Sequence, residues 1–162
     1  MEQPITLRPI TPDDEPFLYK LYASTREDEL AVLPWSASEK EAFLTAQFNA
    51  QHSYYQQQFV KAEFCIIEQG NEPIGRLYLD NRKDEIRIVD IALLPAYRNR
   101  GIGTMYLQAV LEEGQSAGLP VRIHVEHNNP ALRLYERLGF QKVTENGIYF
   151  LMEKLPDKVA GD

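Results

Sequence analysis

The sequence predicts an α/β fold: one mixed sheet with helices on its faces. Three observations carry this. Apolar residues recur at helical spacing from Phe17 towards Phe59, and the period changes to that of strands in the three runs that follow. An apolar run, "IRIVDIALL", then hands over to a helix-like run through a turn holding two glycines, Gly101 and Gly103. The chain has 162 residues, 44% hydrophobic and 25% charged, which suits a single domain over residues 1–162 with one sizeable core.

Each element has a local reason. "ITLRPI" (5–10) alternates as a strand. Thr11 offers a capping hydroxyl, Pro12 suits the first helical position, and Asp13 and Asp14 sit near the positive end of the dipole. Phe17, Leu18, Leu21 and Tyr22 continue that helix. A second helix starts at Ser36 or Ser38, with Glu41 completing a capping box from Ser38. "AEFCIIEQ", "EPIGRLYLD" and "DEIRIVDIALL" are three strands, joined by the turns "GNEP" and "NRKD" into an antiparallel meander. Residues 102–117 form an amphipathic helix with Ile102, Tyr106, Ala109 and Val110 along one stripe, ended by Gly118 and Pro120. "VRIHVEH" (121–127) is a strand. Residues 130–138 make a short helix, capped by Asn129 and stopped by Gly139. "FQKVT" and "IYFLMEKL" close the chain as a hairpin. The order is β-α-α-β-β-β-α-β-α-β-β.

Composition excludes several classes. No apolar run is long enough to span a membrane. The stretch "MEQPITLRPITPDDE" lacks the basic and apolar regions of a signal peptide. Cys65 is the only cysteine, so no intramolecular disulfide and no Cys-rich zinc site is expected, and no metal is assigned. These features favour a reduced, cytoplasmic setting. The net charge of −7 argues against general nucleic-acid binding.

The glycine turn sets the chemistry. A helix N-terminus presents unbonded backbone N–H groups and partial positive charge, and glycines let the main chain approach an anion closely. With Arg98 and Arg100 beside it, the turn suits a phosphate or pyrophosphate; the plainer alternative is a strand–helix turn with solvated arginines. Neither common phosphate loop fits. There is no G-x-x-x-x-G-K-[ST], and position 106, where a dinucleotide fingerprint needs glycine, is Tyr.

What remains is R-x-x-G-x-G after "IALLP". It resembles the acyl-CoA motif of the GNAT superfamily of N-acetyltransferases. A second block, "VEHNNPALRLYERLGF", resembles that superfamily's later motif N-x-x-A-x-x-L-Y-x-x-x-G-F, with Asn128, Ala131, Leu134, Tyr135, Gly139 and Phe140 at its positions. The element order agrees along the chain, while the first 60 residues match only in general pattern. The resemblance implies direct transfer from acetyl-CoA to an amine of a small molecule, amino acid or peptide, by a monomer or homodimer. It implies that backbone N–H groups from Arg98 through Asn99, Arg100, Gly101, Ile102 and Gly103 to Thr104 hold the cofactor pyrophosphate. It places Ala92, Leu93 and Leu94 beside the pantetheine arm, where strands splay at a bulge and a backbone N–H can polarise the thioester carbonyl. Asn128 would bond the cofactor near that arm.

The same resemblance makes Tyr135 the proton donor to the leaving thiolate; by spacing alone it is a packed core aromatic. A phenol with pKa about 10 is protonated at neutral pH and an adequate donor to a thiol of pKa about 8.5. The general base is left among Asp90, His124, Glu126 and Glu85. Asp90 interrupts an apolar run, and His124 alternates with Val121, Ile123 and Val125. Arg76, Tyr78 and Asp80 share a strand face that would line the acceptor side. Trp35 and Arg26 are further acceptor candidates, with a core tryptophan and a surface arginine as the plainer readings. The alternatives to an enzyme are a catalytically weak acyl-CoA-binding sensor and an interaction module that kept the fold.

Overall fold

The computed structural model describes residues 3–158. The ends of the predicted domain, and the first two residues of the stretch read as lacking a signal peptide, lie outside the described residues. The elements run β1 (Ile5–Pro9), α1 (Glu15–Thr25), α2 (Glu27–Ala31), α3 (Ala37–Gln58), β2 (Glu63–Gln69), β3 (Glu72–Asn81), β4 (Ile86–Leu93), α4 (Ile102–Ala117), β5 (Val121–Glu126), α5 (Leu132–Arg137), β6 (Gln141–Asn146) and β7 (Tyr149–Lys154). The strands form one seven-stranded mixed sheet in the order β1-β2-β3-β4-β5-β7-β6. The chain divides into two compact units, Met1–Leu77 with Ile91–Arg98, and Tyr78–Asp90 with Asn99–Asp162. Strands β3 and β4 therefore belong partly to each.

In the first unit β1 runs antiparallel to β2, from Ile5 opposite Gln69 to Pro9 opposite Cys65. The turn to β3 is only Gly70–Asn71, with Gly70 at φ 62°, and so short a link joins antiparallel neighbours. Leu18 and Tyr22 of α1, Phe48 of α3 and Ile66 of β2 form the core, with the Tyr19 ring edge-on to Phe48 at 5.7 Å.

Two local expectations change here. The start at Thr11 holds: a 3-10 turn over Pro12–Asp14 begins there with a capping box shared by Thr11 and Asp14. Asp14 Oδ2 accepts from the Thr11 backbone N–H (2.8 Å), and the carboxylate takes both Arg8 terminal nitrogens at 2.8 and 2.7 Å. The bidentate guanidinium fixes that carboxylate at the start of the turn. The capping box of α3 is Ser36 with Glu39, not Ser38 with Glu41: Glu39 N–H donates to Ser36 Oγ (3.1 Å) and Ser36 N–H to Glu39 Oε1 (3.2 Å). Both serines offer a hydroxyl, and the extended backbone of Ser36 (φ −68°, ψ 164°) selects it. The short helix α2 was not foreseen, because five residues with one buried leucine, Leu30, carry no periodic signal.

In the second unit a parallel ladder pairs Ile86, Arg87 and Ile88 with Val121, Arg122 and Ile123. β5 pairs antiparallel with β7 along its whole length, and β7 with β6 through a register shift between Lys142 and Thr144. Helix α4 buries Ile102, Leu107, Val110 and Gly114. Ala109, placed on the stripe by its spacing, is exposed; Leu107 and Gly114 take the inner face instead. Gly114 allows close helix–strand packing, since a Cβ there would lie 2.7 Å from Val121 Cγ2. Gly118, left-handed at φ 68°, ends the helix, and the Leu119 N–H bonds the Gly114 carbonyl at 2.9 Å.

Candidate acyl-CoA site

The glycine turn is built by two left-handed residues. Asn99 has φ 62° and Gly101 has φ 82°. Asparagine is among the few non-glycine residues that tolerate this region. Sequence reading placed Asn99 in the turn but did not foresee its conformation. At Gly101 the conformation, not crowding, favours glycine: a Cβ there would meet nothing within 4 Å. The first bond of α4 runs from Met105 N–H to the Gly101 carbonyl (2.9 Å). The N–H groups of Ile102, Gly103 and Thr104 thus precede the helix's own bonding, and Gly101 has no side chain to cap them. This is the donor set an anion requires. Arg100 is exposed.

Further along the same unit, Asn128 is exposed in the turn after β5. Asn129 Oδ1 accepts from Ala131 N–H at 2.8 Å in the turn before α5, and the cap position is Ala131 rather than the expected Asn129, because the helix starts at Leu132 instead of residue 130. Tyr135 of α5 is 4% exposed, its ring edge-on to Phe140 at 5.7 Å. Burial raises its phenol well above the ordinary tyrosine value, and the charge of Asp90 raises it further. The hydroxyl is held protonated, but it is a weaker acid than the ordinary phenol the sequence implies.

The base candidates separate. Glu85, 6% exposed, lies 2.9 Å from Arg87, 3.5 Å from Arg122 and 3.6 Å from Arg82. Arg122 also pairs with Glu153 at 3.0 Å. Glu85 is therefore committed to an ion network. His124 is exposed, its Nδ1 lies 3.2 Å from an Arg87 nitrogen, and desolvation followed by the Arg87 charge holds it below the ordinary histidine value. Strand alternation puts Asp90 on the face of Ile86 and Ile88, whereas His124 meets Arg87 on the opposite face. Glu126 is half-buried at the end of β5.

In the first unit the end of β4 is fixed by three contacts. Leu94 N–H donates to the Ile74 carbonyl (2.9 Å). Arg98 Nε donates to the Leu93 carbonyl (2.9 Å), and Arg98 Nη2 reaches Ser24 Oγ at 3.4 Å. The Ala92 carbonyl oxygen stands 2.4 Å from where a Cβ on Gly75 would be. Sequence reading gave Gly75 no role, although a lone glycine inside a strand pattern is a signal of close backbone approach. Arg76, Tyr78 and Asp80, expected to line an acceptor surface, are all buried. Arg76 lies in the first unit, donating to Gln51 Oε1 (2.9 Å) with its guanidinium over the Tyr55 ring. Trp35 is partly exposed and packs edge-on to Phe43 at 5.3 Å.

The model of a protein family described as the acetyltransferase (GNAT) family matches residues 18–140. The chain belongs to the GNAT family. It is 27% identical over 125 residues to the [ribosomal protein bS18]-alanine N-acetyltransferase of Haemophilus influenzae, covering 76% of each chain. It is 34% identical over 100 residues to the histone acetyltransferase MCC1 of Arabidopsis thaliana, covering 57% of this chain and 40% of that one. Two further curated relatives are matched over a similarly small share of their length, 38% of a Mycobacterium leprae protein and 35% of the N-alpha-acetyltransferase of Sulfurisphaera tokodaii. Among solved structures, the PaiA N-acetyltransferase of Thermoplasma acidophilum in complex with coenzyme A superposes with a TM-score of 0.70 at 19% identity, over 94% of this chain and 99% of that one. The predicted GNAT fold is thereby confirmed. No helix among the described residues is long and apolar enough to cross a membrane.

Proposed function

We propose that this GNAT chain transfers the acetyl group of acetyl-CoA directly to an amine of a small molecule, an amino acid or a peptide terminus, acting in the cytoplasm as one domain. The observation that carries the reading is the uncapped start of α4, where the N–H groups of Ile102, Gly103 and Thr104 follow a left-handed Gly101 inside an R-x-x-G-x-G motif. These donors, with those from Asn99 to Gly101, would bind the pyrophosphate; the Arg98 N–H, expected to join them, is taken by the Pro95 carbonyl (3.3 Å). Arg98 itself serves the loop, because its guanidinium is spent on Leu93 and Ser24. Asn128 would bond the pantetheine arm, which would lie along Ala92, Leu93 and Leu94.

In the reaction the amine nitrogen attacks the thioester carbon and the C–S bond breaks. A backbone N–H at the end of β4 holds the developing oxyanion. Tyr135 gives its proton to the departing sulfur, and Asp90 takes the proton lost by the amine. The position of Asp90 favours it as the base, since its charge reaches Tyr135. The raised phenol makes a free tyrosinate costly, so the proton leaves Tyr135 only as the sulfur takes it up.

The test is release of free CoA from acetyl-CoA across a panel of small amines, amino acids and peptides, alongside calorimetry with CoA. Amine-dependent release supports the reading. CoA binding without turnover on any amine leaves an acyl-CoA-binding module, and absence of both removes the site.

A further inference from the structure

We infer that Gly75 is a positioning residue for acyl transfer: by lacking a side chain it sets the direction of the Leu93 N–H. The inference rests on the proposed reaction. It starts from one peptide plane. The Ala92 carbonyl oxygen projects at Gly75, 2.4 Å from the site of a Cβ, closer than the Leu93 Cα at 3.2 Å. In a trans peptide the N–H points opposite to the carbonyl. The Leu93 N–H, in the same plane as that carbonyl, therefore points away from Gly75.

The neighbouring peptide is also fixed. Leu94 N–H is taken by Ile74, and the Leu93 carbonyl by Arg98. Of the two peptide units that meet at Leu93, one is held by the Leu94 and Arg98 hydrogen bonds, and the other carries the carbonyl that packs against Gly75. The N–H of that second unit is the donor suited to a developing oxyanion. An oxyanion donor works only if it is aimed before the reaction begins. A methyl group at position 75 would displace a backbone oxygen, which yields only by rotating the Ala92–Leu93 peptide and swinging the N–H with it. The second clash, with Leu93 Cδ2 at 2.7 Å, is with the end of a flexible side chain and can be relieved by rotamer change.

The experiment is Gly75→Ala in the full chain, with turnover on the best amine of the panel, CoA affinity by calorimetry and the melting temperature. The expected result is kcat lower by about 10²-fold, the usual loss for one misdirected oxyanion donor, with CoA affinity falling far less, because CoA has no acyl carbonyl for that donor to hold. A folded Gly75→Ala chain with parental kcat overturns the inference. So does a parallel fall of CoA affinity and kcat, which would mean general distortion. If Gly75→Ala does not fold, Gly75→Ala/Ala92→Gly supplies a looser strand that can turn the carbonyl aside. That double variant, folded, is expected to remain slow, and parental kcat in it overturns the inference. Failure of the parent chain to acetylate any amine is a different outcome: it removes the reaction itself, and the inference with it.

Discussion

Tyr135 joins two demands that oppose each other. Burial keeps its hydroxyl protonated, as a donor must be, and makes the tyrosinate left behind expensive. Replacing it with Phe keeps the ring that packs on Phe140 and removes only the proton. Tyr135→Phe should therefore retain melting temperature and CoA affinity and lose about 10²–10⁴-fold in kcat, read by steady-state kinetics with the acceptor saturating. Parental kcat would leave Tyr135 a core aromatic. Asp14 acts on stability alone. The Arg8 fork holds its carboxyl down at about 2, against desolvation, with the Thr11 N–H assisting. A depressed acid stabilises the fold above its unfolded pKa near 4, and the contribution is lost as pH falls through 2. Asp14→Asn should cost about 1–2 kcal/mol at pH 7. In urea melts the gap from the parent should narrow below pH 4 and close near pH 2.

At the scale of elements, what the sequence makes legible follows the period of its apolar residues. The strands, the long helices and the glycine that ends α4 were readable because each leaves a repeating or punctuating mark. Glycine motifs gave the turn, but not the left-handed Asn99, which shows only in the backbone. Two capping serines looked alike until ψ separated them. Gly75 and the Ala92 carbonyl are 17 positions apart in sequence, so the lone glycine signals a close approach while nothing local names the carbonyl it meets. Tyr135 was readable as a motif position, while its raised pKa depends on burial that no spacing reports. The turn itself is open to test. Gly101→Val forces a β-branched residue into the left-handed region and should cost about 1–2 kcal/mol of stability together with CoA affinity. Gly101→Asn can keep the conformation while placing a side chain where the anion would approach. It should melt close to the parent yet bind CoA more weakly, as read by calorimetry. Parental CoA affinity in both variants would remove the turn from the binding site.

For the whole molecule, strand order and chain order disagree at one place: β7, made last, stands between β5 and β6. A ribosome delivers the chain from its N-terminus, so β5 emerges well before the strand that will hydrogen-bond its outer side. β6 emerges in between, with no partner yet to join. Until Tyr149–Lys154 has left the exit tunnel, the nascent chain carries the open edge of β5, with its buried face of Val121, Ile123 and Val125. Exposed edges of apolar strands invite pairing with other chains. A chain stopped at Ile148 should therefore be synthesised at a normal rate and recovered in the pellet, and adding a separate peptide of residues 149–158 during translation should return part of it to the supernatant. Recovery of the stopped chain as soluble, folded protein would show that β5 guards its own edge. Otherwise β7 acts as an intramolecular chaperone, and the interval between the synthesis of β5 and that of β7 is when this protein is most open to aggregation.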